Sequence, residues 1–130
     1  KGQDKIRKVL LSAIGNCQLC RLNYDYFLIA SHIVRWSESD LEVVKEYEGI
    51  DFRGDLNNVL LLCATHDKLF DSYKISFSKN GKLLIAEDIK KEDYYKLNIN
   101  NDMKITIKEN QEKYMASHRQ SFLAKNKKVQ

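Results

Sequence analysis

The sequence predicts an α+β domain built around two strands, a cysteine–histidine knuckle and one short helix. Three observations carry the prediction. The apolar run Val59 to Leu62 is too short for a helix of its own and suits a buried strand. Two pairs of candidate ligands, Cys17-x-x-Cys20 and Cys63-x-x-His66, have the spacing of a metal knuckle. An amphipathic stretch follows at once, in which Leu69 and Phe70 can face a core while Asp67 and Asp71, four apart, share one helical face.

Taken in order, Lys5 to Ile14 reads as a first helix, with Ile6, Val9, Leu10, Ala13 and Ile14 at helical spacing and Gly15 and Asn16 to end it. Cys17 to Cys20 forms a tight knuckle. Tyr26 to Ile33, dense in β-branched and aromatic residues, reads as a strand leading into His32. Ser37 to Gly54 is a long connection whose middle, Asp40 to Tyr47, suits one or two helical turns capped by Ser39 or Asp40. Val59 to Leu62 is the second strand and Ala64 to Phe70 the short helix. Lys74 to Ala86 reads as a hairpin turning at Lys79-Asn80-Gly81-Lys82. Glu87 to Tyr95 can hold a helix, and Met103 to Ile107 alternates like a short strand. Glu109 to Lys125 is a C-terminal helix with Tyr114, Met115, His118 and Phe122 near one stripe, a pattern that belongs to packing more often than to binding.

The chain has 130 residues, with no proline, no repeat and nothing that marks a linker, so residues 1–130 read as one domain with a single core. It opens on Lys rather than Met, as a piece of a longer protein would. No stretch approaches the roughly 20 apolar residues that span a bilayer, and no signal peptide is visible. The net charge of +4 permits nucleic-acid binding without arguing for it. The basic clusters Lys1 to Lys8 and Lys125 to Lys128 read equally well as solvated ends.

Three cysteines disfavour a disulfide framework. With His66 they make a Cys3His set whose commonest use is structural zinc; the competing reading is a reduced protein with buried thiols and a redox pair. Either fits a reducing compartment, and a cytoplasmic location is expected.

Several separated motifs then occur in one order. Ala30-Ser31-His32-Ile33 with Trp36, Arg53 ahead of Asn57-Asn58, and Leu-Leu-Leu-Cys63-Ala-Thr-His66-Asp67-Lys-Leu-Phe70-Asp71 resemble the HNH endonuclease family. They are most similar to its restriction-endonuclease branch, where Ser-His-Ile-x-Pro-Trp precedes Asn-Gly-Leu-x-Leu-Cys-Pro-x-His-Asp-x-Leu-Phe-Asp. The resemblance covers roughly Cys17 to Leu84, with a weaker echo at His118-Arg119.

The resemblance implies a ββα-metal nuclease core with a structural zinc knuckle and flanking helices. It implies hydrolysis of DNA phosphodiester bonds, in a restriction or defence enzyme, with His32 as general base and Asn58 as its orienter. In knuckle-bearing relatives two zinc ligands lie five and eight residues after the Asn, and a catalytic-metal ligand nine after. From Asn58 these fall on Cys63, His66 and Asp67, and a second catalytic ligand four further on falls on Asp71. Cys17, Cys20, Cys63 and His66 are therefore expected to hold structural Zn2+, and Asp67 and Asp71 a catalytic divalent cation, Mg2+ or Mn2+. The literal spelling of the motif instead makes His66 a catalytic ligand, and that choice stays open. Imidazole suits a base near neutral pH, and carboxylate oxygen suits a hard cation.

Three positions depart from the pattern. Ser31 stands where many relatives have an acid or a His, Val59 replaces a usual Gly, and Arg35 a usual Pro. Each site residue also has a plainer reading. His32 suits a core histidine, Asn58 a turn or cap, Asp67 and Asp71 the favourable charges of a helix start, and Trp36 a packing anchor. Arg53, Arg35 and Arg119 are the candidate DNA contacts; Arg53 equally suits an ion pair with Asp51 or Asp55, and Arg119 a packing role. The expected partner is double-stranded DNA, and a double-strand cutter with one site per chain would need two copies, which leaves room for a homodimer. The competing function is a zinc-stapled nucleic-acid-binding module without catalysis.

Overall fold

The computed structural model describes residues 2–35 and 54–126. Trp36, Arg53 and the helical turns expected over 40–47 lie outside the described residues. The observed order is helix α1 (Gly2–Ala13), strand β1 (Leu28–His32), strand β2 (Val59–Cys63), helix α2 (Ala64–Asp71), strands β3 (Ile75–Phe77) and β4 (Leu83–Ile85), the short helix α3 (Tyr94–Leu97) and the C-terminal helix α4 (Glu112–Lys125). Helices and small sheets are mixed, as the α+β expectation requires.

β1 and β2 form an antiparallel ribbon in which Leu28 faces Cys63 and His32 faces Val59. Every residue of β2 is buried, which is why it is a continuous apolar run rather than an alternating one. α2 packs across both strands and contacts β1 and β2. Its Leu69 and Phe70 face the core, as their spacing predicted. α1 ends where expected: Ile14 and Gly15 both donate to Leu10 O, and Gly15 takes φ 79, a left-handed value glycine adopts without cost.

Three elements differ from the sequence reading. The expected strand from Tyr26 begins only at Leu28, because Asp25–Phe27 is a 3-10 turn. Arg7, on α1, donates to Leu28 O and Asp25 O and holds the chain curled there. Tyr24, Tyr26 and Phe27 consequently stand exposed rather than in a sheet. Met103 to Ile107 is not a strand. It runs beside the second hairpin through a single bridge, Lys82 to Lys104, with bonds from Leu83 N to Met103 O and from Ile105 N to Gly81 O. Gly81 permits that approach: a Cβ there would sit 1.9 Å from Ile105 O, at φ 85. The helix expected over Glu87 to Tyr95 starts later, as a 3-10 turn Lys91–Asp93 leading into α3.

The C-terminal helix closes the core from outside the ribbon. Tyr114 Oη donates to Asp55 Oδ2 at 2.6 Å, while Asp55 Oδ1 accepts from Asn57 N at 2.8 Å. Burial alone would raise the Asp55 carboxyl, but these two partners outweigh it and hold the pKa below its usual value. His118 is sandwiched between Phe70 and Tyr73, its ring 3.8 Å from that of Phe70 and nearly parallel. Its Nε2–H donates to Phe70 O at 2.9 Å and its Nδ1 accepts from Ser76 Oγ at 2.8 Å. Both nitrogens are satisfied with the ring neutral.

Burial pushes the His118 pKa down to about 4, with Arg35 and Arg119 adding to the effect and the Phe70 carbonyl opposing it. The folded state therefore binds fewer protons than the unfolded chain between pH 6.5 and 4. This contribution is complete above pH 6.5 and is lost as pH falls through that window, by about 3 kcal/mol in all. Urea unfolding should show the advantage of wild type over His118→Phe shrinking by about that amount between neutral pH and pH 4; a constant difference would contradict the assignment.

Candidate active site

The Cys-x-x-Cys segment is latched onto β2 by the backbone and side chain of Gln18. Gln18 N donates to Leu61 O at 2.9 Å, and Gln18 Oε1 accepts from Leu61 N at 2.8 Å. Arg21 N closes the knuckle onto Cys17 O at 2.8 Å, with Arg21 left-handed at φ 71. This sets Cys17 and Cys20 beside the end of β2, where Cys63 caps α2 and His66 lies in its first turn. The four donor atoms lie within 4.8 Å of one another. A tetrahedral zinc ion with bonds of about 2.3 Å to sulfur and 2.0 Å to nitrogen needs S–S edges near ~3.8 Å and S–N edges near ~3.5 Å. Cys20 and Cys63 are 3.9 Å apart, and Cys17 Sγ is 3.6 Å from His66 Nδ1. The residues fit the ion.

The electrostatics fit it as well. The Cys63 thiol hydrogen bond draws the Cys17 pKa down to about 3 against the opposing effect of burial, and the same bond drives Cys63 far up. Burial raises Cys20. His66 is lowered by burial, but its bond to Cys17 prevails and raises it overall. Shared protons hold together a cluster that a dication would bind by replacing them. His66 Nε2–H meanwhile donates to Leu97 O and Asn98 O, at 3.0 and 3.1 Å, which turns Nδ1 toward the thiols. Asn98 takes φ 54 at the C-cap of α3. Such outer bonds fix the tautomer and orientation of a ligand histidine. No sequence signal could have found them, because the acceptors are backbone carbonyls. On the choice the sequence left open, His66 is grouped with the cysteines.

His32 and Asn58 sit at the end of the ribbon opposite Cys63, four residue steps or about 13 Å along the strand. His32 is half-buried and ends β1. Asn58 is wholly buried just before β2. Its Oδ1 accepts from Val34 N at 2.8 Å, its Nδ2 donates to Val34 O at 3.2 Å, and its carbonyl accepts from Ile33 N at 2.9 Å. Asn58 thus clamps the backbone directly after His32. The hydroxyl of Ser31, the residue before His32, is near enough to the Asp67 carboxylate to lower its pKa. At position 31 the chain thus presents a hydroxyl near α2 where many relatives offer a ligand.

Asp67 is half-buried and Asp71 exposed. Burial raises the Asp67 pKa, the negative charge of Asp71 raises it further, and Ser31 and Lys68 act the other way. Two carboxylates that repel each other suit a bound cation, which would relieve the repulsion. Of the candidate DNA contacts, Arg35 lies with Cζ 4.9 Å from the ring centre of Tyr73. Arg119 is committed internally: it donates to Phe77 O at 2.7 Å and makes a two-pronged ion pair with Glu112 at 3.0 and 3.1 Å. The buried stripe of α4 turns that guanidinium toward β3.

Residues 17–78 match the family described as HNH endonuclease, and over that segment the chain is similar to the HNH endonucleases. A search of curated proteins found no match. The family implies nuclease activity on nucleic acid and the use of a divalent metal. Among the described residues no helix is long and apolar enough to cross a membrane.

Proposed function

We propose that the protein is a single-domain, metal-dependent DNA endonuclease module serving a restriction or defence enzyme. Its catalytic residues in this reading are His32 and Asn58, with Asp67 and Asp71 as ligands of Mg2+ or Mn2+ and Cys17, Cys20, Cys63 and His66 as ligands of structural zinc. The observation that carries the reading is the ribbon register, which sets His32 opposite Val59, next to Asn58, with the Ser31 hydroxyl close enough to the Asp67 carboxylate to lower its pKa.

A ring nitrogen of His32 takes the proton from the attacking water as its oxygen bonds to phosphorus. Asn58 acts through the backbone, holding Ile33 and Val34 so that the imidazole keeps its aim. Asp67 and Asp71 hold the divalent ion, which supplies positive charge to the phosphate and the departing oxygen. Arg35 is the basic residue best placed to hold a phosphate nearby.

Supercoiled plasmid incubated with Mg2+ or Mn2+ should be nicked by the wild type. The His32→Ala variant should nick it about 10²–10⁴-fold more slowly, the usual worth of a general base. Equal cutting by the two proteins would refute the role. Duplex binding with no cleavage under any divalent ion would favour the zinc-stapled binding module instead, a reading helped by Ser31 in place of a ligand.

A further inference from the structure

We infer that Lys125, at the end of the C-terminal helix, joins Arg35 on the ring of Tyr73 to form a phosphate-binding rail that carries the DNA strand past the candidate active site. The inference rests on the nuclease reading above and adds a residue from outside the 17–78 segment.

The ends of α2 and α4 are stitched together at Tyr73. This residue follows Asp71 by two positions, is buried, and takes φ 60, which turns the chain sharply out of α2. Asn126 Nδ2 donates to Tyr73 O at 2.6 Å and to Phe122 O at 2.8 Å. Phe122 and Tyr73 also share a small apolar cluster with Ala86. Lys125, next to Asn126, is therefore delivered to a defined place, with Nζ 5.4 Å from the Tyr73 ring centre.

Arg35 reaches the same ring from the segment after β1, with Cζ 4.9 Å from its centre. It lies three residues past His32, and its neighbour Val34 is the residue clamped by Asn58. Stacking of His118 on Tyr73, at 4.6 Å, holds the ring in place. Arg35 and Lys125 are thus within about 10 Å of each other, a separation suited to nearby phosphates of one strand. His118 registers the positive field there, since Arg35 and Arg119 both oppose its protonation.

A ring contact as such needs only one cation. A fold that brings a second, exposed one to the same ring concentrates like charge, and that suits a polyanion. Contacts to phosphate position the duplex without reading its sequence.

The test is binding of a fluorescent duplex oligonucleotide to the zinc-loaded chain in a His32→Ala background, over a series of KCl concentrations. Loss of one phosphate contact makes the slope of log affinity against log salt shallower by about 0.9. Lys125→Gln should show that change, Arg35→Gln with Lys125→Gln about twice it, and Lys125→Arg none. A purely structural contact with Tyr73 would leave the slope alone, so a wild-type slope in Lys125→Gln overturns the rail. If the chain with His32 intact nicks plasmid while Lys125→Gln keeps the slope, the rail fails and the nuclease reading stands. A shallower slope without nicking supports the rail and counts against the nuclease. Failure of the parent protein to bind duplex overturns both.

Discussion

Stripping zinc with a strong chelator should unfold the protein rather than merely inactivate it. Cys17 and Cys20 are joined to β2 through Gln18, and Cys63 and His66 mark the β2–α2 junction, so the four ligands tie three segments of chain at one point. Structural zinc supplies on the order of 10 kcal/mol of folding free energy. A domain of this size is stable by only about 5–15 kcal/mol. Without the ion, three thiols and an imidazole would face one another in a largely buried site. Cys63→Ser should do the same as the chelator. Metal analysis should find one zinc per chain, and circular dichroism should lose its cooperative thermal transition when the ion is removed. A metal-free protein that melts at the wild-type temperature would remove zinc from the account of this fold.

Replacing Asn58 by Ala should cost about 3–5 kcal/mol. The substitution leaves the N–H and C=O of Val34 without their partners in a fully buried place, each worth about 1–3 kcal/mol. Asn58→Asp should be little better, because a carboxylate can still accept from Val34 N but would face Val34 O with no proton to donate. Denaturant unfolding measures the loss, and nicking by the surviving folded fraction should fall with it, because His32 and Arg35 flank the released segment. A drop below about 1 kcal/mol would mean that the amide does not bear on the backbone as described.

These two outcomes concern residues that were visible in the sequence, but in unequal ways. The zinc set was legible because metal ligation demands residue types at short spacings, and both pairs are local. Asn58 was legible only as a motif position. Its work on Val34 spans 24 residues, and the amide touches backbone, which no composition or spacing announces. The same limit explains the misplaced start of β1. Tyr26 and Phe27 favoured a strand, and a guanidinium on α1 overrode them. Met103 to Ile107 alternates as a strand should, yet it has only the Gly81 corner to pair with. His118 and Arg119 looked like late members of a motif. His118 is stacked in the core and Arg119 is bound to β3 and Glu112.

The amino-acid order alone settled the buried strand β2, the helix after it, and the second hairpin with its glycine corner, and it marked Cys17, Cys20, Cys63 and His66 as one candidate set. Each follows from local periodicity, turn chemistry or ligand spacing. Folding in three dimensions decided that His66 turns to the thiols, that Ser31 meets Asp67, and that Lys125 and Arg35 arrive at one ring. Those are contacts between distant segments, set by how helices pack on a ribbon, and side-chain identity constrains them only after the chain has closed.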